Sequence, residues 1–209
     1  MIIENVRGCA LKRNATLLAH VKDCLQATHY SAHIRILCTS QSAVPQSRGR
    51  CCVVGIRGQK VCFKWPKVLP MVDLKQLLGR TLIEKKHALN NQQKELLSKL
   101  QETHKRRLEK AWYCFDAGAT LKCVSCLKGK CPCLTHSRPG GPYLPRLRRF
   151  LTLREHGALQ GLPSGAILYM QEACNGDERA VRAALGDAMS LLVLMKVLGN
   201  GSLQCRFAS

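Results

Sequence analysis

The chain has 209 residues, of which 46% are hydrophobic and 22% charged, a balance that excludes a wholly disordered protein. No apolar run approaches the ~20 residues that span a bilayer, and charged residues interrupt the N-terminal stretch where a signal peptide needs an apolar core. The sequence therefore predicts neither a membrane protein nor a secreted one. Its 33 Lys and Arg against 13 Asp and Glu give a formal net charge of +20, which favours an anionic partner such as nucleic acid over a scattered basic surface or an acidic protein partner.

The first part of the chain has the pattern of an α/β sheet. Met1-Ile2-Ile3 is a short apolar run, and Lys12 to Ala27 places its leucines and valine at helical spacing. His33 to Cys38 has strand character, and Cys51 to Ile56 is a continuous apolar run of the kind found in strands buried on both faces. Strand, helix, strand and strand in this order predict a sheet with helical connections.

The middle of the chain predicts a linker and a long helix. Lys60 to Pro70 is basic with two prolines and is expected to be a linker. Thr81 to Trp112 has no Pro or Gly and predicts a long surface helix, with ion pairs at i,i+4 spacing between Glu95 and Lys99 and between Glu102 and Arg106.

The segment from Leu121 to Arg154 has eight basic residues and no acidic one. Prolines and glycines divide it into loops, so it is either a phosphate-contacting surface or a poorly ordered basic loop. After it, Thr152 and Glu155 have the spacing of a capping box, and the helix that they begin is expected to end at Gly161. A last helix is expected over Met189 to Leu198.

Four short motifs follow one another in an informative order. Glu4-Asn5-Val6 ends the first strand, and Gln46-Ser47-Arg48-Gly49-Arg50 precedes an apolar strand. Arg149 to Glu155 with Leu159 to Pro163 reads Arg-x-Leu-Thr-x-Arg-Glu…Leu-Gln-Gly-x-Pro, and Gly186-Asp187-Ala188 precedes an apolar helix. In this order the motifs resemble those of the DNA cytosine-5 methyltransferases, over roughly residues 1–57 and 120–200.

The resemblance implies an α/β fold, namely the C-terminal half of a Rossmann-like S-adenosylmethionine-dependent methyltransferase domain with a small inserted target-recognition region. Residues 1–57 would belong to the catalytic domain, 58–145 to the target-recognition region, and 146–209 to the return into the catalytic domain. S-adenosylmethionine would be the cofactor, double-stranded DNA the partner, and no metal or membrane is implied.

The resemblance also assigns roles to individual residues. In this family a cysteine thiolate adds to C6 of a flipped cytosine, and a carboxyl group stabilises the charge that reaches N3. Glu4 matches that carboxyl group, and Arg48 and Arg50 would act beside it on the flipped base and the adjacent phosphates. The remaining assignments are substrate binding for Asn5, Gln46, Arg138 and Arg149, and cofactor binding for Gly186, Asp187 and Ala188.

The chain departs from the family pattern in two ways. The catalytic Pro-Cys motif and the glycine-rich cofactor loop are expected upstream of Glu-Asn-Val, whereas Pro132-Cys133 lies far downstream and is followed by Leu134-Thr135. The chain alone is therefore expected to be inactive, with the missing N-terminal half in the same chain or in another. Asp187 stands where the family usually has Asn, and its carboxylate would repel that of the cofactor unless it is protonated or turned away.

Two alternatives belong to other functional classes. Cysteines at 123, 126, 131 and 133, with His136 nearby, could form a tetrahedral zinc site in a nucleic-acid-binding module, although the spacing is unusual and zinc is not expected. A non-catalytic regulatory chain that completes a methyltransferase is the other. A nuclear location is expected if the source is eukaryotic, and a cytoplasmic one otherwise. With no export signal, the 13 cysteines are expected to be reduced thiols, metal ligands or core residues.

Overall fold

A three-stranded sheet carries the first part of the chain. The computed structural model describes residues 1–58, 63–78, 88–105, 107–138 and 141–205. Strands β1 (Ile2–Val6), β2 (Tyr30–Cys38) and β3 (Gly49–Arg57) lie in the order β1-β3-β2. Both pairings are antiparallel, so that β1 and β2 run in the same direction with β3 between them. Helix α1 (Ala15–Ala27) connects β1 to β2, and the strands and helix that the apolar pattern predicts are confirmed.

One face of this sheet packs against the C-terminal helix. Successive side chains of a strand alternate between faces, and the register places Ile2 opposite Val54. Val54 is buried with Val193 and Val197, and Phe63 closes the same cluster. The last helix of the chain therefore covers the sheet that the first residues begin, and the two ends of the sequence share one core.

The middle of the chain differs from its prediction. Helix α2 (Leu74–Leu77) is a single turn, and α3 (Asn91–Thr103) is much shorter than the helix expected over Thr81 to Trp112. Residues 81–87 and 106 lie outside the described part, as does the expected pair of Glu102 with Arg106. Asn90 caps α3 at its start, and Lys105 adopts a left-handed φ of 49° just after its end. The ion pair between Glu95 and Lys99 is confirmed at 2.8 Å.

A second sheet follows, built from very short strands. These are β4 (Tyr113–Asp116), β5 (Cys126–Lys128), β6 (Pro142–Leu144) and β7 (Arg149–Phe150), in the order β5-β4-β6-β7 with every pairing antiparallel. The basic segment from Leu121 to Arg154, which its prolines and glycines predict to be divided into loops, also contributes three of these strands. The expected linker from Lys60 to Pro70 is described only from Phe63 onward, where it forms no helix or strand and Phe63 and Trp65 pack edge to face.

Four helices complete the chain: α4 (Leu153–Leu159), α5 (Ser164–Ala173), α6 (Glu178–Asp187) and α7 (Leu191–Cys205). The capping box at the start of α4 is confirmed, because Thr152 Oγ1 accepts from the Glu155 amide and the Glu155 carboxylate accepts from the Thr152 amide. Gly161 follows with a φ of 77°, in agreement with the expected end of that helix. Within the described residues, no helix combines the length and apolarity needed to cross a bilayer.

Candidate functional site

Glu4 and Arg50 form the centre of the site. They lie on neighbouring strands, with Glu4 opposite Cys52 and Val6 opposite Arg50, so both side chains emerge on the same face of the sheet. Arg50 Nε lies 3.2 Å from Glu4 Oε1, and both side chains are largely shielded from water, at 18% and 13% exposure. The sheet register thus brings together one residue from each of the first two motifs.

The surroundings of Glu4 act on its carboxyl group in opposite directions. Burial raises the pKa of Glu4 above its ordinary value of 4.5, while the charges of Arg50 and then Arg48 lower it, and the net shift is upward. Burial disfavours the charged form, whereas a nearby cation favours it. The carboxyl group is therefore better able to hold a proton than an exposed glutamate is.

Arg48 is an interior side chain rather than a surface one. It is 2% exposed, and its Nη1 donates to the Leu134 carbonyl at 2.8 Å while Nη2 donates to the carbonyls of Gly186 at 2.9 Å and Ala188 at 2.8 Å. Burial lowers the pKa of Arg48 from 12.5. The resemblance implies contacts of Arg48 with the flipped base and phosphates, whereas its partners here are backbone carbonyls. These hydrogen bonds connect the start of β3 to two backbone segments that are distant in sequence.

Gly186 is required by packing. A Cβ at this position would lie 2.5 Å from the His136 backbone nitrogen and from the Thr135 carbonyl carbon, so only glycine lets α6 approach this loop. The next residue, Asp187, is exposed and pairs with His136, whose Nδ1 lies 2.7 Å from Asp187 Oδ2. The Gly-Asp-Ala motif therefore has its carbonyls held by Arg48 and its carboxylate held by a histidine.

Two of the expected DNA-binding arginines are engaged in ion pairs. Arg149 is 5% exposed and makes a bidentate pair with Glu155, both N···O distances being 2.7 Å. Arg138 Nε lies 2.9 Å from Asp116 Oδ2, and burial raises the pKa of Asp116 although Arg138 opposes the shift. Arg149 is thus part of the interior, whereas Arg138 remains partly exposed.

Asn5 and Gln46 flank the site in different ways. Asn5 Oδ1 accepts from the Val6 amide at 2.7 Å on the exposed side of β1. Gln46 is fully buried, and its backbone carbonyl accepts from Thr39 Oγ1 at 2.6 Å. Both polar atoms of the Gln46 side chain are buried without a partner among the described residues. Asn5 shapes its own turn, and Gln46 supports the loop that leads into β3.

Cys133 is a member of the site that the sequence motifs do not identify. Its Sγ lies 3.5 Å from Arg48 Nη1 and 3.7 Å from Arg50 Nη2, and it donates to the Leu134 carbonyl at 3.2 Å. Its position before Leu134-Thr135 is the one available sequence signal. The cysteines around it are dispersed: Cys131 is buried against Cys114 while Cys123 is exposed. Across the described ranges, no three metal-ligating side chains come together as a metal site would require.

The chain matches the model of a known protein family. The model of a family described as C-5 cytosine-specific DNA methylase matches residues 1–200, which is nearly the whole chain. The chain belongs to the C-5 cytosine-specific DNA methylase family. The resemblance drawn from the order of the four motifs is thereby confirmed. Comparison with curated protein sequences gives no match.

Solved structures of methyltransferases share the fold of this methylase-family chain. It is similar to the Entamoeba histolytica methyltransferase EhMeth, with a TM-score of 0.62, 15% identity and coverage of 95% of this chain and 61% of that one. A putative DNA modification methyltransferase of an Escherichia coli prophage gives 0.59, 17%, 98% and 69%. The Dnmt2 methyltransferase of Schizosaccharomyces pombe gives 0.54, 16%, 98% and 66%. About a third of each of these structures therefore has no counterpart in this methylase-family chain.

The methyl donor that the family resemblance implies does not fit the pocket beside the Glu4–Arg50 pair. The pocket beside Glu4, Arg48 and Arg50, which Met189 and Ser190 also line, has a volume of about 10 Å³, room for about one water molecule. Ligand pockets of cofactor size have roughly 300–1,000 Å³. The pocket beside the Glu4–Arg50 pair therefore does not enclose S-adenosylmethionine by itself.

Proposed function

We propose that this chain is the part of a DNA cytosine-5 methyltransferase that handles the flipped cytosine. The observation that carries the proposal is the pair of Glu4 and Arg50, 3.2 Å apart on one face of the sheet. The two residues come from separate motifs of the family that the chain belongs to. A carboxyl group beside a fixed cation suits the flipped cytosine, which needs a proton at one edge of its ring and a hydrogen-bond donor at the other.

In the proposed mechanism, Glu4 holds a proton for the cytosine ring. When a thiolate adds to C6, negative charge moves toward N3, and a carboxyl group whose pKa is raised by burial can neutralise that charge. Arg50 keeps the Glu4 carboxyl group oriented and presents its remaining N–H groups beside it. Arg48 acts indirectly, because its hydrogen bonds position the loop at Leu134 and the end of α6 around the pair.

The nucleophile and the glycine-rich cofactor loop are proposed to come from a segment outside these 209 residues, in the same chain or in another. The compared structures support this, since the chain accounts for only 61 to 69% of their length. S-adenosylmethionine is the proposed methyl donor, held mainly by that segment. Asp187 and its partner His136 would then lie at the edge of the completed cofactor pocket.

The first sheet offers a place for the proposed segment. Among the described strands, β1 lies at the edge of the sheet with β3 on its one paired side. Ile3 and Val6 on β1 are 41% and 56% exposed, and Met1 just before it is 54% exposed. An edge strand with exposed apolar side chains is a template for another strand. Beside it lies a groove of about 460 Å³. Its apolar lining includes Ile2, Val54, Phe63 and Val197.

Double-stranded DNA is the proposed substrate. The net charge of +20 provides the attraction, and the region around the second sheet and α4 presents exposed basic side chains toward solvent. These are Lys122, Lys128, Arg146, Arg148 and Arg154.

The test measures transfer of a labelled methyl group from S-adenosylmethionine to duplex DNA. The chain alone is expected to transfer none, and a mixture with the N-terminal portion of a family methyltransferase, ending before its Glu-Asn-Val motif, is expected to transfer label. Glu4→Gln should lower the rate of the mixture by 100-fold or more, in the range of a lost general acid, about 10²–10⁴-fold. Glu172→Gln, on the exposed side of α5, is the matched control and should leave the rate unchanged.

The same experiment separates a catalytic chain from a regulatory one. If Glu4→Gln leaves the rate of the mixture intact, the chain stimulates a methyltransferase without contributing its acid, and the proposed role of Glu4 is wrong. Transfer by the chain alone would contradict the proposal that the nucleophile lies elsewhere.

A further inference from the structure

Cys133 is held between two arginine side chains in a way that the proposed methyl transfer does not use. The thiol site consists of Cys133, Arg48 and Arg50. The sulfur lies 3.5 Å from Arg48 Nη1 and 3.7 Å from Arg50 Nη2, and the side chain is half-buried rather than enclosed. Two cations therefore face one nucleophilic atom that a small molecule can reach.

The donors of the thiol site are only weakly satisfied by sulfur. A charge-assisted N–H···O bond has a length of about 2.7–2.9 Å, whereas the contacts of Cys133 are longer and sulfur is a weak acceptor. Arg48 is 2% exposed, and its Nε is buried without an acceptor among the described residues. An oxygen atom attached to the sulfur would give these guanidinium groups a stronger acceptor than the thiol provides.

We propose that Cys133 is a site of oxidation by hydrogen peroxide, at which the sulfenic acid is held by Arg48 and Arg50. The sulfur attacks one peroxide oxygen, so that an S–O bond forms and the O–O bond breaks. The departing oxygen takes the thiol proton and leaves as water; sulfur is oxidised and peroxide is reduced. Both guanidinium groups stabilise the negative charge that develops on the departing oxygen before it takes the proton.

Cys123 provides a comparison for Cys133 within the same chain. Cys123 is exposed, and among the described residues it has no arginine contact such as those at Cys133. If access alone governed the reaction, Cys123 would react first. If the two cations govern it, Cys133 reacts first although it is more shielded. The reaction needs neither DNA nor a methyl donor, so its outcome is independent of the proposed methyl transfer.

The experiment treats the reduced full chain with hydrogen peroxide in the presence of dimedone, which captures sulfenic acids, and follows each cysteine peptide by mass spectrometry. Cys133 is expected to be labelled at least five-fold faster than Cys123. Equal or slower labelling of Cys133 overturns the proposal.

Two variants test the role of the cations. Arg50→Gln should bring the labelling rate of Cys133 to that of Cys123, and Arg50→Lys should keep it above, because the positive charge is retained. Arg179→Gln, at an exposed arginine in the first turn of α6, is the matched control and should not change the rate. If Arg50→Gln melts with the wild-type midpoint and still labels at the wild-type rate, Arg50 has no part in the reaction and the proposed site is wrong.

Discussion

Arg149 shows how a motif residue can be identified from sequence while its partner is not. The motif places Arg149 six residues before Glu155 in the chain, and the capping box predicts that Glu155 turns back toward Thr152. The Glu155 carboxylate accepts a hydrogen bond from the Thr152 amide as predicted. It also accepts hydrogen bonds from both terminal nitrogens of Arg149 inside the protein. Local spacing predicts the cap, whereas the burial of Arg149 depends on elements far away in sequence, which local spacing does not specify.

Removing the charge of Glu155 should destabilise the protein strongly. Glu155→Gln leaves the guanidinium of Arg149 buried without a counter-charge, which costs about 3–5 kcal/mol. Urea unfolding followed by circular dichroism measures the loss. Glu172→Gln on α5 changes an exposed carboxylate and is expected to stay within about 0.5 kcal/mol of wild type; an equally small effect of Glu155→Gln would contradict the structural role of the pair.

His156 should make stability depend on pH. Burial, and then the charge of Arg182, lower the pKa of His156 from 6.5 to about 4. Because the folded-state pKa is the lower one, the unfolded chain takes up the proton first as the pH falls below about 6.5. The free energy of unfolding should therefore drop by about 2 kcal/mol between pH 6.5 and 5 through this residue.

Unfolding curves at several pH values check this expectation. His156→Gln removes the titrating group while keeping an amide that can donate to the Thr152 carbonyl, the present partner of His156 Nδ1. The variant should show a flatter dependence on pH between 6.5 and 5. His20→Gln, on the exposed side of α1, should keep the wild-type slope, and an unchanged slope in His156→Gln would show that another group is responsible.

At the scale of elements, sequence patterns predict the long and strongly patterned ones. The apolar run from Cys51 to Ile56 lies in β3, and the residues from Lys12 to Ala27 contain α1. The strands of the second sheet have only two to four residues, too few for an alternating pattern to be seen. The segment from Thr81 to Trp112 predicts one long helix because it contains no Pro or Gly. The capping signal of Asn90 with Gln93 marks where α3 begins.

One added methyl group should disturb the close contact between α6 and the loop that contains Thr135 and His136. Gly186→Ala puts a Cβ 2.5 Å from the His136 backbone nitrogen, and the shift needed to relieve the clash costs about 1–3 kcal/mol. Gly165→Ala in α5 is the matched variant, because nothing lies within 4 Å of its Cβ. It should raise the free energy of unfolding by up to about 0.5–1 kcal/mol through helix propensity, and the melting temperature should rise slightly with it. Thermal unfolding of both variants measures the contrast, and a neutral Gly186→Ala would contradict the close approach.

At the scale of the whole molecule, the order of the motifs predicts the family, but the motifs do not predict which of their residues contact one another. Glu4 and Arg50 meet because β3 lies beside β1, an arrangement that neither motif encodes alone. The same holds for Cys133, which reaches Arg50 across 83 residues of sequence. Pairings over such separations depend on the complete sheet and its packing, not on local pattern.

The net charge of +20 should appear as salt-dependent binding to duplex DNA. Affinity measured by fluorescence anisotropy is expected to fall steeply between 50 and 200 mM salt, with a log–log slope of about −0.9 for each phosphate contact. Lys128→Gln, in the second sheet, should reduce the slope by about 1. Lys94→Gln on the exposed side of α3 is the matched control, and equal slopes for the two variants would place the DNA elsewhere.

Arg48 also bears on the order in which the molecule folds. Its three carbonyl acceptors lie 86, 138 and 140 residues away in sequence, and contacts of such long range form only after large loops have closed. Local structure such as α4 with its capping box can form well before them. We expect Arg48→Gln to speed unfolding and to leave the folding rate nearly unchanged, a low φ-value in stopped-flow kinetics. The face of the first sheet that carries Glu4 and Arg50 would then be the last part of the protein to form and the first to be lost.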